Sequence, residues 1–267
     1  MSHMCRATLT LAMMGLTSAC TGADGDVASP AAELAPGGTL RAGISIINPV
    51  LAIRDSADGD PRGVAVDVAR EIGRRLNLPV AFVPYESAAA LADAAPDGAW
   101  DVAFLAADPA RTGEIAFTDP YLELEAAYLV PAGSGIRHMD DVDVAGVRIA
   151  SRPRSAYDLF LRRSLQHATL VYPEGSRTDV DRLTAGEADV LAGLRGPLLE
   201  TSATLPGSRV LDGHFALMQQ AIGVPVGRAT AVEYLNTVVR ELTGSGFVEQ
   251  AIARTGAAGA HVAGRAR

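Results

Sequence analysis

The chain has 267 residues, 48% apolar and 20% charged, with a net charge of −8. That length and balance suit an ordinary globular protein with one large or two small cores. A nucleic-acid binder needs a basic surface to displace counterions, so the acidic balance excludes that class as a first reading.

The chain opens on a stretch that reads as an export leader, Met1–Cys20. Arg6 supplies a short positive region, and Ala7–Leu16 is an uncharged run too short to span a bilayer as a helix. Thr17-Ser18-Ala19-Cys20 is similar to a bacterial lipobox, with Thr17 where an aliphatic residue is usual. Three outcomes stay open: lipidation of Cys20, giving a lipid anchor at the membrane, simple cleavage, or a stretch that is not a signal. Residues 21–37, rich in Ala, Gly, Asp and Pro, are expected to be a flexible linker. No later apolar run reaches the length of a transmembrane helix, so the expected location is periplasmic or on the extracytoplasmic membrane surface. Both cysteines, Cys5 and Cys20, lie in the leader, so the body offers no disulfide, thiolate nucleophile or cysteine metal site. His138, His167, His214 and His261 are scattered, with no metal-ligand spacing. No cofactor, metal or nucleic-acid partner is expected.

From Thr39 short apolar runs alternate with helical periods. Strands are expected at Thr39–Ser45, Val80–Tyr85, Asp101–Leu105 and Ala126–Val130. Val64, Val68, Ile72 and Leu76 form one stripe, so Val64–Leu76 is expected to be a helix. Ala88–Ala95 is a second helix, stopped by Pro96. A second round brings strands at Val147–Ser151, Ala168–Tyr172, Ala188–Leu194 and Arg209–Leu211, and helices at Ala156–Leu165, with Ser155 as N-cap, and Asp179–Ala185. Leu217–Pro225 reads as extended, and Ala229–Leu242 and Gly246–Arg254 as closing helices. This order predicts an α/β protein: two parallel-sheet lobes flanked by helices and joined by two extended crossover segments. Lobe 1 takes residues 38–130 and 220–258, lobe 2 takes 131–219, and 259–267 is expected to be a disordered tail.

Three stretches carry a family resemblance. Gly63-Val64-Ala65-Val66-Asp67-Val68-Ala69 resembles the helix start of family 3 extracellular solute-binding proteins. Asp101–Tyr121 (DVAFLAADPARTGEIAFTDPY) resembles their central signature, and Asp189-Val190-Leu191-Ala192 a strand of their second lobe. The resemblance implies the type II periplasmic-binding fold, hinged lobe closure on a small anionic or zwitterionic ligand such as an amino acid, delivery to an ABC transporter permease, no catalysis, and a monomer.

It also implies site residues. Arg111 stands where relatives clamp a ligand carboxylate, a task suited to a planar guanidinium; the alternative is a surface ion pair with Glu114. The loop before it, Leu105–Ala110, lacks the hydroxyls of amino-acid receptors, leaving backbone groups such as those of Ala106. Asn48 stands near a usual ligand-stacking aromatic, or is a turn residue before Pro49. Ser155, Ala156 and Tyr157 open a helix aimed at the ligand, where free N–H groups suit anions. Arg154 adds a cation beside them. Gln219 and Gln220 lie on the return crossover, one of them facing the cleft, with Gln220 taken as the ligand residue.

The second lobe departs from amino-acid receptors. Leu194 stands where they place the Asp that meets the ligand ammonium, and Arg195 follows it as a candidate for a second anionic group. This favours a carboxylate or dicarboxylate without an ammonium, unless Asp158 or Asp189 restores the partner. Two alternative functions remain open: a periplasmic cyclohexadienyl or arogenate dehydratase, with Asp158 near the general-acid position, and an accessory or sensory binding module.

Overall fold

The computed structural model describes residue 1 and residues 29–54, 56 and 59–265. The leader, with Cys20, lies outside the described residues, as does residues 21–28 of the expected linker. The elements in chain order are α1 (Pro30–Leu34), β1 (Leu40–Ser45), α2 (Val64–Leu76), β2 (Val80–Tyr85), α3 (Ala88–Asp93), β3 (Val102–Ala106), β4 (Ile115–Phe117) and β5 (Leu122–Val130). There follow β6 (Arg148–Ala150), α4 (Ala156–Ser164), β7 (Thr169–Val171), α5 (Asp179–Thr184), β8 (Val190–Leu194), α6 (Arg195–Thr204), β9 (Arg209–Val210), β10 (Ala216–Pro225), α7 (Ala229–Gly244), α8 (Phe247–Thr255) and β11 (Ala260–Val262).

The strands form one sheet in the order β2-β1-β3-β10-β5-β8-β6-β7. Two parallel triplets, β2-β1-β3 and β7-β6-β8, lie at its ends. The two longest strands, β10 and β5, run antiparallel to each other and to the triplets between which they pass. β10 contains the join expected at Gln219–Gly223, whereas the join expected near residues 129–133 lies earlier: Ala126–Leu129 of β5 already pair with β8, so the first segment of lobe 1 ends before the expected residue 130. Helices cover the triplets, so β3 (VAFLA) is an unbroken apolar run, buried throughout, rather than an alternating one.

Local chemistry fixes the elements. The apolar stripe of α2 is fully buried at Val64, Val68 and Ile72. Gly63 precedes it at φ +134°, where a Cβ would fall 2.4 Å from the Leu51 carbonyl oxygen, and Asn77 ends it in the left-handed region. Ser87 caps α3 by accepting from the Ala90 N–H.

Lobe 1 holds the larger core. Leu40, Ile44, Val68, Ile72, Phe104, Leu122, Leu235 and Val248 belong to one cluster that α2, α7 and α8 close. Leu91, Trp100, Leu105 and Ile115 fill the opposite face of the sheet. Lobe 2 has two smaller clusters, around Tyr128, Ile149, Leu161 and Val190, and around Leu129, Leu183, Leu191 and Leu198.

Two expectations are corrected. Residues 30–34, within the expected flexible linker, form α1. Leu34 is fully buried, and Glu33 accepts a 2.7 Å hydrogen bond from the Ala231 N–H at the start of α7. Burial of one leucine against α7 overrides a composition that favours a tether. The expected disordered tail likewise contains β11, which pairs antiparallel with β5 and buries Val262. The sequence reading also missed β4 as a bounded element, the first residues of β5, and all of α6. In α6 Gly196-Pro197 resembles a turn, yet proline costs no hydrogen bond in a first helical turn.

Candidate functional site

A cavity of about 200 Å³ opens between the two lobes, where the C-terminal ends of β1 and β3 face the first turns of α4 and α5 and the end of β8. Crevices beyond the carboxyl ends of parallel strands are where α/β sheets leave backbone groups and helix starts converging.

Lobe 1 contributes Arg111. Asp108 caps a single 3-10 turn, Pro109–Arg111, by accepting from the Ala110 N–H at 2.9 Å. The turn directs the guanidinium back along β3, where Nη1 donates to the Ala106 carbonyl at 2.8 Å. Nη2 donates across the cleft to the Arg154 carbonyl at 3.2 Å. Arg111 is 7% exposed and makes no ion pair, with Glu114 or any other described carboxylate. Burial pulls its pKa below the ordinary guanidinium value, with Asp108 opposing the shift. The cation is therefore hydrogen-bonded to two backbone carbonyls, with no described carboxylate in ion-pair contact.

Other expected residues also line this cavity: Asn48, Ala106, Ser155, Ala156, Tyr157 and Gln220. Asn48 fills both roles considered for it, since its side-chain oxygen accepts from the Val50 N–H in a turn while the residue borders the cavity. Ser155 caps α4, its Oγ accepting from the Asp158 N–H at 3.2 Å. Burial pushes the Tyr157 phenol up to about 12, so it stays a neutral hydrogen-bonding group at ordinary pH. The two glutamines separate by strand alternation: Gln220 is buried at the cavity, and Gln219 turns away to donate to Glu123.

Arg195 is a correction. It does not line the cavity. Its Nε donates to Glu125 on β5 at 2.5 Å, and Nη2 reaches the carbonyl of Gly213. As the first residue of α6, it is turned toward the crossover strands. Arg154 is a second correction. At φ +58°, it pairs with Asp93 of α3 at 2.7 and 2.5 Å, and it borders a neighbouring crevice instead. Neither proposed substitute for the ammonium partner reaches the cavity. Asp158 accepts from the Arg154 N–H and from Arg162, and Asp189 is paired with Arg148.

The sequence reading missed Ser45, Ser87, Arg152, Asp179 and Thr201, all at the cavity. Ser45 ends β1 with its Oγ buried and without a hydrogen-bond partner. Asp179 begins α5 at 7% exposure. Strand alternation along β1 could have flagged Ser45. Asp179 carried only the signal of a helix start, which many surface aspartates share.

Two bridges tie the lobes across the mouth: Arg154 to Asp93, and Arg163 of α4 to Asp108 at 2.8 and 3.0 Å. The described chain is thus in an arrangement with its lobes in contact. Among the described residues no helix is long and apolar enough to cross a membrane, and no group of side chains is arranged to hold a metal.

A search of curated proteins gives no match. The family described as "Bacterial extracellular solute-binding proteins, family 3" matches residues 40–255. Among solved structures, a mutant of ArgBP from T. maritima is 23% identical, with 84% of this chain and 98% of that one covered and a TM-score of 0.68. The solute receptor for L-cysteine of Neisseria gonorrhoeae is 22% identical, with 85% and 93% covered and a TM-score of 0.70. An amino acid ABC transporter substrate-binding protein from Streptococcus pneumoniae bound to L-arginine is 16% identical, with 83% and 96% covered and a TM-score of 0.69. At these identities the likeness concerns the fold, the type II periplasmic-binding architecture.

Proposed function

The chain belongs to the bacterial extracellular solute-binding proteins of family 3, and from that premise we propose that it is an extracytoplasmic receptor that captures a small carboxylate-bearing ligand and delivers it to an ABC permease. The observation that carries this reading is the Arg111 guanidinium, buried in the interlobe cavity without an ion pair among the described residues. An unpaired buried charge is costly, and a ligand carboxylate supplies the missing partner in bidentate geometry. The N-terminal turn of the nine-residue α4 faces the same space with its free N–H groups. Capture works by lobe closure about β5 and β10, with the Arg111–Arg154 hydrogen bond and the two interlobe ion pairs forming as the halves meet. Cys20 is proposed as the lipidated residue that keeps the receptor at the membrane surface.

The dehydratase reading finds no support in the geometry, because Asp158 is bound by Arg162 and does not border the cavity. The test of the receptor reading is calorimetry on wild type and Arg111→Ala. Carboxylate ligands screened by thermal shift should raise the wild-type melting temperature by mass action. Arg111→Ala should lose at least about a hundredfold in affinity, the cost of removing a charged hydrogen-bonded partner. Its unliganded melting temperature should not fall, since an uncompensated buried charge is removed. Undiminished affinity would reject the assignment.

A further inference from the structure

Five charged side chains are buried among the described residues: Asp101, Asp108, Arg111, Asp158 and Asp179. Three have ion-pair partners within the protein. Asp101 meets Arg41 and Arg228, Asp108 meets Arg163, and Asp158 meets Arg162. The remaining two, Arg111 and Asp179, make no ion pair, carry opposite charges, and line the same cavity from opposite lobes. The hydrogen bond found for the Asp179 carboxylate is a 3.2 Å contact from the Val180 N–H. With no ion pair inside the protein, this carboxylate is available to a ligand cation.

We propose that Asp179 is the ammonium-binding residue of this receptor, and that its ligand is a zwitterionic α-amino acid with an uncharged, apolar side chain. The inference rests on the receptor reading and narrows it. The ligand carboxylate pairs with Arg111 and the ammonium with Asp179, so each buried charge gains the partner it lacks. The unpartnered Ser45 Oγ offers a further acceptor for an N–H or donor for a carboxylate oxygen. Leu194 ends β8 at the same cavity, so the carboxylate that faces Arg111 across it comes from the start of α5. Leu51, Phe104, Val180, Leu191 and Leu198 line much of the remaining wall, and Asp179 is the one carboxylate among the described lining residues. A second ligand cation would find no further described carboxylate there. A second ligand carboxylate would find only Arg152, which is exposed and already solvated.

The probes are the twenty L-amino acids, succinate, and 4-methylpentanoate as the des-amino analogue of L-leucine, measured by calorimetry on wild type, Asp179→Asn and Asp179→Ser. Wild type should prefer apolar L-amino acids, and should bind L-leucine at least about a hundredfold more tightly than 4-methylpentanoate. Both variants should lose most of that preference while their unliganded melting temperature holds or rises, which a structural role would not produce. Two results overturn the proposal while sparing the carboxylate receptor: wild type binding succinate or 4-methylpentanoate as tightly as any amino acid, or the variants retaining the L-leucine preference. Failure of every carboxylate probe to bind wild type overturns the receptor reading with it.

Discussion

The two lobes repeat one structural device under different burial. In lobe 1, Asp101 precedes β3 and takes the Arg41 backbone N–H and guanidinium from the adjacent start of β1. In lobe 2, Asp189 precedes β8 and takes the same two groups of Arg148 at the start of β6. Each aspartate ties the second half of a βαβαβ unit to its first strand. Asp101 is 1% exposed and receives a further cation, Arg228, whereas the Asp189 side chain is 37% exposed. The difference follows from what covers each edge. The α1–α7 corner and Arg228 close over Asp101, with the Arg228 guanidinium donating to the Glu33 carbonyl in α1. Lobe 2 has no such cover. A motif set by strand geometry is therefore shared, while its energy depends on the chain that returns over lobe 1.

The largest expected effect tests that contrast directly. Asp101→Ala leaves the Arg41 backbone N–H without its acceptor and removes the anion facing two guanidiniums. It should destabilise the protein by about 3–5 kcal/mol, as for breaking a buried pair. Asp189→Ala should cost a small fraction of that, because solvent replaces the lost contacts at a half-exposed site. Trp100, the chain's one tryptophan, is fully buried in lobe 1 beside this device, with its Nε1 donating to the Leu91 carbonyl. Chemical denaturation followed by its fluorescence should show the midpoint shift for Asp101→Ala. Equal shifts for the two variants would break the comparison.

Much of this arrangement is legible in the sequence. The apolar stripe of α2, the apolar run of β3 and the alternation of β10 are short-range signals that fix elements and turn one of Gln219 and Gln220 to the cleft, whereas Arg111 and Ser155 were placed there by the family resemblance. Contacts set by long-range burial are not legible. Leu34 and Val262 lie in stretches rich in alanine and glycine with no apolar periodicity, and α7 and β5 give them a buried surface. Arg195 was expected at the cleft, but its place as the first residue of α6 turns it to Glu125 on β5. Asp179 was missed for the converse reason: nothing local distinguishes a helix-start aspartate that faces solvent from one that faces a cavity.

A smaller effect sharpens the contrast at the lobe boundary. Asp108 is buried in lobe 1, and its Arg163 partner from lobe 2 is 45% exposed. Arg163→Ala removes an attraction that exists only when the lobes meet. A partly exposed pair contributes up to about 1 kcal/mol, so ligand affinity should fall by about fivefold, with less loss at high salt. Unfolding followed by Trp100 should move little, because the pair holds two lobes together rather than the core of either. An equal loss in affinity and in lobe 1 stability would show that Asp108 acts within lobe 1 instead.

The smallest expected effect concerns acid. Glu71 on α2 accepts from Arg74 and Arg75, one turn away, and the Arg74 hydrogen bond leads in holding its carboxyl down to about 2. A carboxyl whose pKa is lower in the folded chain than in the unfolded one stabilises fully above the unfolded value. That contribution is lost as pH falls from about 4.5 towards 2. Glu71→Gln should therefore lower stability modestly at neutral pH and flatten the decline across that window, read as melting temperature against pH. In lobe 2, Asp189 is also held low, first by its Arg148 hydrogen bond, but at a more exposed site. Asp189→Asn should alter the acid profile less than Glu71→Gln does. The reverse order would mean that ion pairing, rather than the cover over lobe 1, sets which half yields first to acid.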